Sequence, residues 1–585
     1  MNTIPQIFFT PQGSSTKADQ LAGAELAPVL IIRDPNDSSK IKNISLKELR
    51  ENVTKVGEGL ITLGVGKGDK VGIATGNSPE WIISDLAITS AGGVSVPVYT
   101  TLGTEEIVFI LNDSEATHLI ASPLVIKKIT EVRDTLPRLK TIISTGEKFN
   151  DTDKTFEELK NLDKSKEAKA EFKSRIDSLT TEDIFSIIYT SGTTGRAKGV
   201  VLTHGNILSN IRATLEILDV SSKDSYLSYL PLSHVFERMV HHLMLHQRAP
   251  IAYSRGFAYV GADIALFKPS VLVGVPFFFK RLRSRILTGV SKASRVKRFL
   301  FNIATKWNTS NFFIAPLTDR VILKNLRDKI APRLRFFVSG GAPLGEEMAR
   351  FFSSLGFLIL EGYGLTETSP AISFNRPCEN RAGTVGKPLP GVDVIISKDS
   401  EILVKGPSVM KGYHKMENAT KEAFCDGYFL TGDLGHFDSD GFLSITGRKK
   451  DTLITSTGKN ISPQKIETLL TTDEFIKEAL VYGDGRPHLV ALIIPEQEKL
   501  QEIIDKLSLS ELKTEEALKN KDLMSFFQKR IRDKLNGLAR FEKLRNFALI
   551  EDTLTEDGGE LTPTMKIKRS KVEAKFDKLL IGLYE

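Results

Sequence analysis

Short apolar runs that resemble β-strands alternate with stretches of helical periodicity along the first part of the chain. The run Lys70–Thr75 precedes a helical pattern over Pro79–Ala91, Val94–Tyr99 precedes a helical pattern over Glu105–Leu111, and His118–Ala121 is extended again. This alternation is typical of α/β proteins with largely parallel sheets, because consecutive parallel strands need a crossover between them. The sequence therefore predicts an α/β fold.

The pattern changes twice towards the C-terminus. From Gly383 to Val404, short β-like segments are separated by Gly, Pro and Asp, which predicts a small β-rich subdomain. After Gly447–Asp451, a helical segment, two strand-like runs and charged helices predict a compact α+β domain. We therefore divide the chain into residues 1–450 and 451–585, in keeping with the several units expected for 585 residues.

Composition excludes several classes of protein. The two cysteines, Cys378 and Cys425, belong to no CxxC or Cys/His cluster, which argues against a disulfide framework or a structural zinc site. The N-terminus has no signal-peptide pattern, and no window reaches about 18 uninterrupted apolar residues. We expect a cytoplasmic protein, or one peripheral on the inner face of a membrane. The net charge of +7 is modest for this length and indicates no nucleic-acid partner.

One segment is strongly basic. From Lys280 to Lys306 there are nine Lys or Arg and no Asp or Glu, interleaved with apolar residues at helical spacing. Such a helix can lie on an anionic membrane surface. It can equally be an amphipathic helix whose charges only face water. The sequence leaves both interpretations open.

The string Tyr189–Gly199 carries the clearest chemical signal. It follows the strand-like run Ile184–Tyr189 and contains three glycines and four Ser or Thr residues. Successive backbone N–H groups in such a loop form an anion-binding nest, and a lysine adds a point charge, so the loop suits the triphosphate of ATP. The spacing is not that of a Walker A loop. The residues expected at the nucleotide are Thr190, Ser191, Gly192, Thr193, Thr194, Gly195 and Lys198.

This string resembles the signature loop of the adenylate-forming (ANL) superfamily, which includes acyl-CoA synthetases, firefly-type luciferases and peptide-synthetase adenylation domains. Further motifs extend the resemblance from about Leu46 to Lys571. It implies a large N-terminal domain of stacked mixed α/β sheets with a β-rich subdomain, followed by a small mobile α+β C-terminal domain. It also implies ATP and coenzyme A as substrates, with Mg²⁺.

Two glycine-rich strings resemble the family's nucleotide-binding segments. Ser339–Pro343 is the segment expected to line the adenine, where glycine allows a close backbone approach. In Leu360–Thr368 the resemblance assigns Tyr363 to adenine stacking, Thr366 to phosphate contact and Glu367 to Mg²⁺, for which a carboxylate is a suitable hard ligand. The residues expected at the nucleotide are Gly340, Gly341, Ala342, Glu361, Gly362, Tyr363, Gly364 and Thr366, with Glu367 as the metal ligand.

Motifs further along the chain complete the site implied by the resemblance. Asp433 resembles the ribose-binding carboxylate, and Arg448 the ribose- or phosphate-binding arginine. Lys566 resembles the lysine that holds the carboxylate and the α-phosphate during adenylation. The resemblance places the interdomain hinge at Lys450 and Asp451. It places the coenzyme A channel beside Gly458 and Lys459.

The substrate acid is indicated by two segments. Leu230–Arg238 resembles the form found in long-chain acyl-CoA synthetases, and its His234 is expected where the acyl pocket meets the nucleotide, with a satisfied core histidine as the alternative. In Val273–Phe279, Phe278 or Phe279 corresponds to an aromatic gate, although three phenylalanines at the end of a strand are more often core. A long-chain fatty acid is the predicted substrate.

The sequence thus predicts a ligase that makes an acyl-adenylate and passes the acyl group to coenzyme A. The alternative hypotheses are a fatty-acyl-AMP ligase that loads an acyl carrier protein, a non-catalytic protein that kept the fold, and an enzyme for short-chain or aromatic acids. Lys566 and Glu367 are both present, which argues against the non-catalytic reading. The family also allows peripheral membrane association and a homodimer.

Overall fold

The computed structural model describes residues 2–10, 25–33, 40–149, 152–190, 197–307, 323–510, 512, 514–551, 554–555, 558–562 and 567–585. The strands, in chain order, are β1 Pro28–Arg33, β2 Ile41–Ser45, β3 Lys70–Ala74, β4 Val94–Pro97, β5 His118–Ala121, β6 Thr141–Ser144, β7 Lys154–Thr155, β8 Ile184–Thr190, β9 Lys198–Thr203, β10 Tyr226–Ser228, β11 Ile251–Tyr253, β12 Val271–Gly274, β13 Phe336–Ser339, β14 Ile359–Gly364, β15 Ala371–Phe374, β16 Lys387–Pro388, β17 Asp393–Ile396, β18 Glu401–Lys405, β19 Gly412–Tyr413, β20 Phe424–Cys425, β21 Tyr428–Phe437, β22 Leu443–Arg448, β23 Leu453–Ile454, β24 Asn460–Ile461, β25 Ile476–Tyr482, β26 Leu489–Pro495 and β27 Leu544–Leu549.

The α-helices of the described residues follow in the same way. They are α1 Ile4–Phe9, α2 Leu46–Thr62, α3 Pro79–Ser90, α4 Thr104–Asp113, α5 Pro123–Thr130, α6 Phe156–Lys160, α7 Lys166–Ser178, α8 His204–Ile217, α9 Val235–His246, α10 Val260–Phe267, α11 Pro276–Ser291, α12 Arg295–Trp307, α13 Lys324–Ile330, α14 Glu346–Ser354, α15 Glu417–Glu422, α16 Pro463–Leu470, α17 Gln497–Lys506, α18 Thr514–Leu518, α19 Lys521–Lys534, α20 Arg569–Lys575 and α21 Asp577–Gly582.

Two large mixed sheets form the first part of the structure. One has nine strands in the order β16-β15-β14-β13-β12-β10-β11-β1-β2, and the other has eight in the order β19-β9-β8-β4-β3-β5-β6-β7. In both, the central strands pair in parallel. Antiparallel strands lie at both edges of the nine-stranded sheet and at the β19–β9 edge of the eight-stranded one, whose other edge strand, β7, is parallel. The predicted α/β fold is confirmed, and the alternating pattern at Lys70–Ala121 corresponds to β3, α3, β4, α4 and β5.

Helices α3 and α9 lie between the two sheets and carry a buried polar cluster. Arg238 of α9 pairs with Asp85 of α3 through Nε–Oδ2 at 2.9 Å and Nη2–Oδ1 at 2.5 Å, and its Nη1 donates to Ser186 Oγ of β8. His242 Nε2 lies 3.0 Å from Asp85 Oδ2. Burial acts to raise the pKa of Asp85, but the charge of Arg238 and the contact with His242 hold it below its ordinary value.

A second buried acid connects α9 to the nine-stranded sheet. The hydroxyls of Tyr226 and Ser228, both on β10, donate to Glu237 at 2.6 and 2.7 Å. Burial raises the pKa of Glu237 to about 8, and the two hydrogen bonds counteract this only in part. The two clusters together fix α9 against both sheets.

Three smaller sheets follow. Strands β17, β18, β21 and β20, with β22 beside β21, form the predicted β-rich subdomain, and β23 pairs with β24. Strands β25, β26 and β27 form a sheet covered on both faces, which explains the uninterrupted apolar run of β26. Alternate residues of β26 pack towards α16 and α19 on one face and towards α20 and α21 on the other.

The segment after residue 451 contacts the first part of the chain through ion pairs around Glu347 of α14. Glu347 accepts from Arg283 Nη2 of α11 at 3.1 Å and from Lys534 Nζ of α19 at 2.8 Å. Arg283 Nη1 also donates to the carbonyl of Thr472 at 2.7 Å. One carboxylate therefore connects an N-terminal helix to a C-terminal one.

No helix in the described ranges is both long and apolar enough to cross a bilayer.

We predict that Arg238→Met lowers the free energy of unfolding by about 3–5 kcal/mol, because it leaves the buried Asp85 carboxylate without its charged partner. Urea unfolding measures this. The double variant Asp85→Leu/Arg238→Met should recover much of the loss, since no charge is then buried alone. As a control, Arg350→Met breaks the exposed pair with Glu346 and should cost less than about 1 kcal/mol. Equal losses in the single and double variants would contradict this account.

Glu237 should make stability depend on pH. Its folded-state pKa of about 8 lies above the ordinary 4.5, so between these values the unfolded chain loses a proton that the folded chain keeps. Stability should therefore fall as pH rises through this window. Glu237→Gln keeps the size of the side chain and cannot ionise, so its stability should fall less from pH 5 to pH 8 than that of the wild type. If urea titrations showed the same change in the free energy of unfolding between pH 5 and pH 8 for the variant and the wild type, this role would be ruled out.

Candidate active site

The predicted triphosphate loop joins two paired strands of the eight-stranded sheet. Thr190 ends β8 and Lys198 begins β9, and the two residues are directly opposite in the antiparallel register. The hydroxyl of Thr190 lies 3.5 Å from the carbonyl oxygen of Lys198. The strands therefore fix both ends of the loop. The residues between them that we predict to contact phosphate, Ser191, Gly192, Thr193, Thr194 and Gly195, lie outside the described residues.

Lys198 and Glu367 meet across one aromatic ring. The ammonium of Lys198 lies 4.8 Å from the centroid of the Tyr413 ring, and the Tyr413 hydroxyl donates to Glu367 Oε1 at 3.0 Å. Tyr413 is held there because β19 pairs with β9. Burial, followed by the charge of Glu367, raises the pKa of Tyr413, so its hydroxyl remains a donor. The base of the predicted phosphate loop thus lies beside the predicted metal-binding carboxylate.

Glu367 lies on a short 3₁₀ turn, Thr366–Thr368, whose backbone is closely held. The amide of Asn210 donates to the carbonyl of Ala371 at 2.7 Å and more weakly to that of Thr368. Just before the turn, a Cβ at Gly364 would lie 1.9 Å from the carbonyl oxygen of Pro370, so only glycine fits. The turn therefore presents Thr366 and Glu367 from a defined backbone.

Tyr363, Asp433 and Arg448 form a second cluster, contributed by β14, β21 and β22. The Tyr363 hydroxyl donates to Asp433 Oδ2 at 2.8 Å, and Arg448 Nε lies 2.9 Å from Asp433 Oδ1. Burial acts to lower the pKa of Arg448, but the charge of Asp433, with smaller contributions from Tyr363, Asp451 and Glu367, raises it. Three residues predicted to surround the nucleoside are therefore in contact with one another.

The predicted adenine-lining segment packs against the first turn of α9. A Cβ at Gly340 would lie 2.9 Å from the ring of Phe236, so glycine allows the helix to approach. Gly341 adopts a φ of +80°, and Ala342 follows it. Burial raises the pKa of Glu361 to about 7, while hydrogen bonds from the backbone of Gly383 and Leu344 act in the opposite direction. Gly362 and Gly364 lie on the same strand, β14.

His234 is the N-cap residue of α9. Its Nδ1 accepts from the backbone N–H of Phe236 at 3.2 Å, so the neutral imidazole carries its proton on Nε2. His234 is partly buried. Its neighbour Phe236 packs against Gly340, which brings His234 close to the loop Gly340–Ala342. A structural role as a cap is therefore established by the geometry, and contact with substrate stays a prediction.

The two predicted gate residues are core residues of an aromatic cluster. Phe279 is fully buried against Phe337 and Phe352, with ring centroids at 5.5 and 5.7 Å. Phe278 is also buried, and its ring lies 5.5 Å from that of Tyr229. Packing thus favours the core alternative for Phe279, while Phe278 packs against Tyr229 in the loop between β10 and α9.

The predicted hinge and channel residues lie on exposed turns. Lys450 and Asp451 belong to a 3₁₀ turn, Lys449–Asp451, directly after Arg448. Gly458 has a φ of +75° in a turn closed by its N–H to the carbonyl of Thr455 at 2.8 Å, and Lys459 follows it. Lys566 lies outside the described residues, although the flanking Leu561 and Ile567 pair across an antiparallel bridge.

The described residues include no group of three or more His, Cys, Asp or Glu that could enclose a metal ion by themselves. Mg²⁺ that accompanies a nucleotide uses one or two protein carboxylates and takes its other ligands from phosphates and water. Glu367 receives one hydroxyl at Oε1 and is partly exposed. One free carboxylate oxygen beside the predicted phosphate loop is compatible with such an ion, and the binding of Mg²⁺ by Glu367 stays a prediction.

Comparison with known protein families assigns the chain. A family model described as AMP-binding enzyme matches residues 27–414, and one described as AMP-binding enzyme C-terminal domain matches residues 450–585. The chain belongs to the AMP-binding enzyme family. The predicted relationship to the adenylate-forming superfamily is thereby confirmed.

Curated relatives of this AMP-binding enzyme share most of its length. Long-chain-fatty-acid–CoA ligase FadD15 of Mycobacterium bovis is 34% identical over 93% of this chain and 92% of its own. Long chain acyl-CoA synthetase 3 of Arabidopsis thaliana is 32% identical over 92% of this chain and 86% of its own. Long-chain-fatty-acid–CoA ligase 5 of Mus musculus is 31% identical over 97% and 87%.

Solved structures share the fold. The anthranilate CoA ligase AuaEII, solved with anthranoyl-AMP, matches with a TM-score of 0.74 at 21% identity over 99% of this chain and 98% of that one. The adenylation domain of a carboxylate reductase from Mycobacterium chelonae matches with a TM-score of 0.78 at 19% identity over 99% and 92%. At these identities the likeness concerns the fold alone.

Tyr413 is the functional candidate that the sequence analysis missed. It belongs to a two-residue strand, Gly412–Tyr413, which is too short to show any periodicity. Its signal is an aromatic residue next to a glycine, and this pattern alone indicates no chemistry. Only the pairing of β19 with β9 brings its ring between Lys198 and Glu367.

We predict that Tyr413→Phe weakens the binding of MgATP by about 5-fold, because Glu367 loses one hydrogen bond. Tyr413→Leu also removes the ring from Lys198 and should weaken binding by roughly 20-fold in total. Isothermal titration calorimetry gives both dissociation constants.

As a matched control, Tyr428→Phe removes a hydroxyl that donates to the exposed Asp393 in the β-rich subdomain, and binding should not change. Wild-type affinity in both Tyr413 variants would show that this cluster does not contact the nucleotide.

Proposed function

We propose that this AMP-binding enzyme is a long-chain fatty acid–CoA ligase. It converts ATP, a fatty acid and coenzyme A into acyl-CoA, AMP and diphosphate through an acyl-adenylate. The observation that supports the proposal is that Lys198 and Glu367 both contact Tyr413. Lys198 begins the strand that follows the loop Ser191–Gly195. The names of the full-length relatives supply the acid and the acceptor.

In the first step, a carboxylate oxygen of the fatty acid attacks the α-phosphorus of ATP. The new O–P bond forms as the bond from the α-phosphorus to the bridging oxygen breaks, and diphosphate leaves with the electron pair. Two anions must approach each other, so the site has to supply positive charge. Lys198 and Lys566 supply it, and Arg448 with Asp433 orients the nucleoside. When bound at Glu367, Mg²⁺ would neutralise phosphate charge.

In the second step, the thiol of coenzyme A attacks the acyl carbon of the adenylate. A C–S bond forms, the C–O bond to phosphate breaks, AMP leaves with the electron pair, and the thiol proton is released. Adenylation makes the acyl carbon reactive, because AMP leaves far more readily than oxide would. His234 caps α9 beside the adenine-lining loop, where we place the acyl carbonyl.

The two steps need different groups at one place. We assign residues 1–450 to a nucleotide- and acyl-binding domain and residues 451–585 to a mobile domain. Rotation at Lys450 and Asp451 would withdraw Lys566 and bring Gly458 and Lys459 to the coenzyme A channel. The hinge position is supported by the exposed turn that follows Arg448 directly.

The substrate class also bears on where in the cell the enzyme works. Long acyl chains partition into bilayers, so we infer that the enzyme works at the cytoplasmic face of a membrane, without crossing it. A homodimer stays an expectation from the family.

We predict that Lys566→Ala lowers acyl-adenylate formation about 100-fold, because one positive charge is lost from the transition state. The same variant, given preformed acyl-AMP, should still make acyl-CoA, because the lysine has then left the site. AMP and acyl-CoA are followed with a ladder of acids from butyrate to stearate. Lys568→Ala, which removes a neighbouring charge, serves as the control and should retain both steps.

The outcome also separates the alternatives. Adenylate with long-chain acids but no acyl-CoA would indicate a ligase that loads a carrier protein. ATP consumption only with short or aromatic acids would contradict the long-chain assignment, and no ATP consumption with any acid would contradict the ligase.

A further inference from the structure

The segment that contains Lys566 is closed at its base by backbone pairing. Leu561 and Ile567 pair across an antiparallel bridge, and the N–H of Lys568 donates to the carbonyl oxygen of Glu560 at 2.7 Å. The chain therefore enters and leaves this segment at one place. The residues on either side of the segment are described, so their contacts show what fixes its two ends.

Arg569, the first residue of α20, fixes the C-terminal end of the segment through two acceptors. Its Nη2 donates to Glu467 Oε1 of α16 at 2.5 Å, and its Nη1 donates to the carbonyl oxygen of Val481 on β25 at 2.6 Å. Glu467 Oε1 also accepts from the N–H of Val481 at 2.8 Å. Because β25 is an edge strand, one ion pair satisfies both backbone groups of a residue at the open edge of the sheet.

The pair between Arg569 and Glu467 is largely protected from solvent. The two side chains are 21% and 18% exposed, so salt screens their attraction less than that of a surface pair. Burial acts to lower the pKa of Arg569, but the charge of Glu467, with smaller contributions from Glu573 and Asp451, raises it. Asp451 belongs to the predicted hinge turn. The same guanidinium is therefore close to the hinge and to the segment that contains Lys566.

Glu560 fixes the N-terminal end of the segment. Its Oε1 accepts from Lys575 Nζ at 2.6 Å, and its Oε2 accepts from the N–H of Thr555 at 3.1 Å. Arg569 and Lys575 are the first and last residues of α20. Both ends of the segment are thus held to one short helix, and Arg569 alone connects that helix to α16 and to the edge strand.

We propose that Arg569 is a positioning residue for Lys566 in the adenylation step. The assignment rests on the proposed function, in which Lys566 acts in the first step and has left the site in the second. A lysine carries its charge at the end of a flexible four-carbon chain, so its backbone has to be held if the ammonium is to reach a defined point. A misplacement of about 1 Å at a reacting centre costs up to about 100-fold in rate.

A direct contact between Arg569 and phosphate is the alternative role for a cation at this position. It is disfavoured because both terminal nitrogens of the guanidinium already donate, one to Glu467 and one to Val481. Binding phosphate would leave the partly buried Glu467 carboxylate without its cation, which is costly. The contacts therefore favour a role that acts through the backbone of the segment.

The experiment measures the two half-reactions separately in the full-length protein. Exchange of labelled pyrophosphate into ATP with palmitate reports the first step, and acyl-CoA made from preformed palmitoyl-AMP reports the second. Arg569→Met should slow the first step about 30-fold, within the range expected for a misplaced catalytic group, and should change the second by less than about 2-fold. Arg569→Lys keeps the charge, but one ammonium does not reproduce the two-pronged contact, so a loss of about 5-fold is expected.

Arg530→Met is the matched control. Arg530 Nε lies 2.9 Å from Asp473 Oδ1, also after residue 451, and the two side chains are 28% and 6% exposed. This variant should lose thermal stability to a similar extent and keep the wild-type ratio of the two rates. An equal loss of both steps in Arg569→Met, or the same change of ratio in Arg530→Met, would show that Arg569 only stabilises the fold, and would overturn the proposal.

Hydrogen exchange followed by mass spectrometry tests the anchoring without any acid. The backbone amides of residues 560–568 should exchange about 10-fold faster in Arg569→Met than in the wild type, and at the wild-type rate in Arg530→Met. Wild-type exchange in Arg569→Met would overturn the proposal even if the rates had changed. A wild-type protein that makes no acyl-AMP with any acid would contradict the ligase instead, and faster exchange in Arg569→Met would then still support the anchoring.

Discussion

The buried ion pair between Arg238 and Asp85 is the interaction on which the arrangement of the two large sheets depends. It connects α9 to α3, and through Ser186 to the eight-stranded sheet, while the neighbouring Glu237 binds the nine-stranded one. Buried charges are costly unless paired, so the two helices have few alternative positions. Because His234 caps α9 and the first turn of α9 packs on Gly340, the same pair also fixes the position of these two candidate-site segments.

Elements with strong local patterns were predictable. The alternation from Lys70 to Ala121 identified three strands and two helices, and the string that begins at Tyr189 correctly marked the end of β8, which the structure places at Thr190. Strand β14 could not be predicted from its pattern, because most of it belongs to the glycine-rich string Leu360–Thr368, whereas in the structure the strand continues through Gly364. Glycines suggest loops, but here Phe374 and Pro370 pack so closely that only glycines allow the strand to continue.

In the candidate site, too, some residues could be predicted from the sequence and others could not. Tyr363, Asp433 and Arg448 were predicted separately, from motifs up to 85 residues apart, and the structure brings them into one hydrogen-bonded cluster. Tyr413 could not be found, because its position depends on a long-range pairing between β19 and β9. The gate residues were ambiguous for a third reason: a run of phenylalanines reports hydrophobicity, and only tertiary packing shows that Phe279 faces the core.

Glu347 has a consequence for any movement of the C-terminal segment. It is shared by Arg283, which is on the N-terminal side, and Lys534, which would move away. If Lys534 leaves, Glu347 keeps a cationic partner, and the lysine enters water, where an ammonium is well solvated. Neither the Glu347 carboxylate nor the Lys534 ammonium is then left without a partner or solvent. If the C-terminal segment moves in this way, the Glu347–Lys534 contact would separate at the modest cost of a partly exposed ion pair, and the Glu347–Arg283 half would stay assembled.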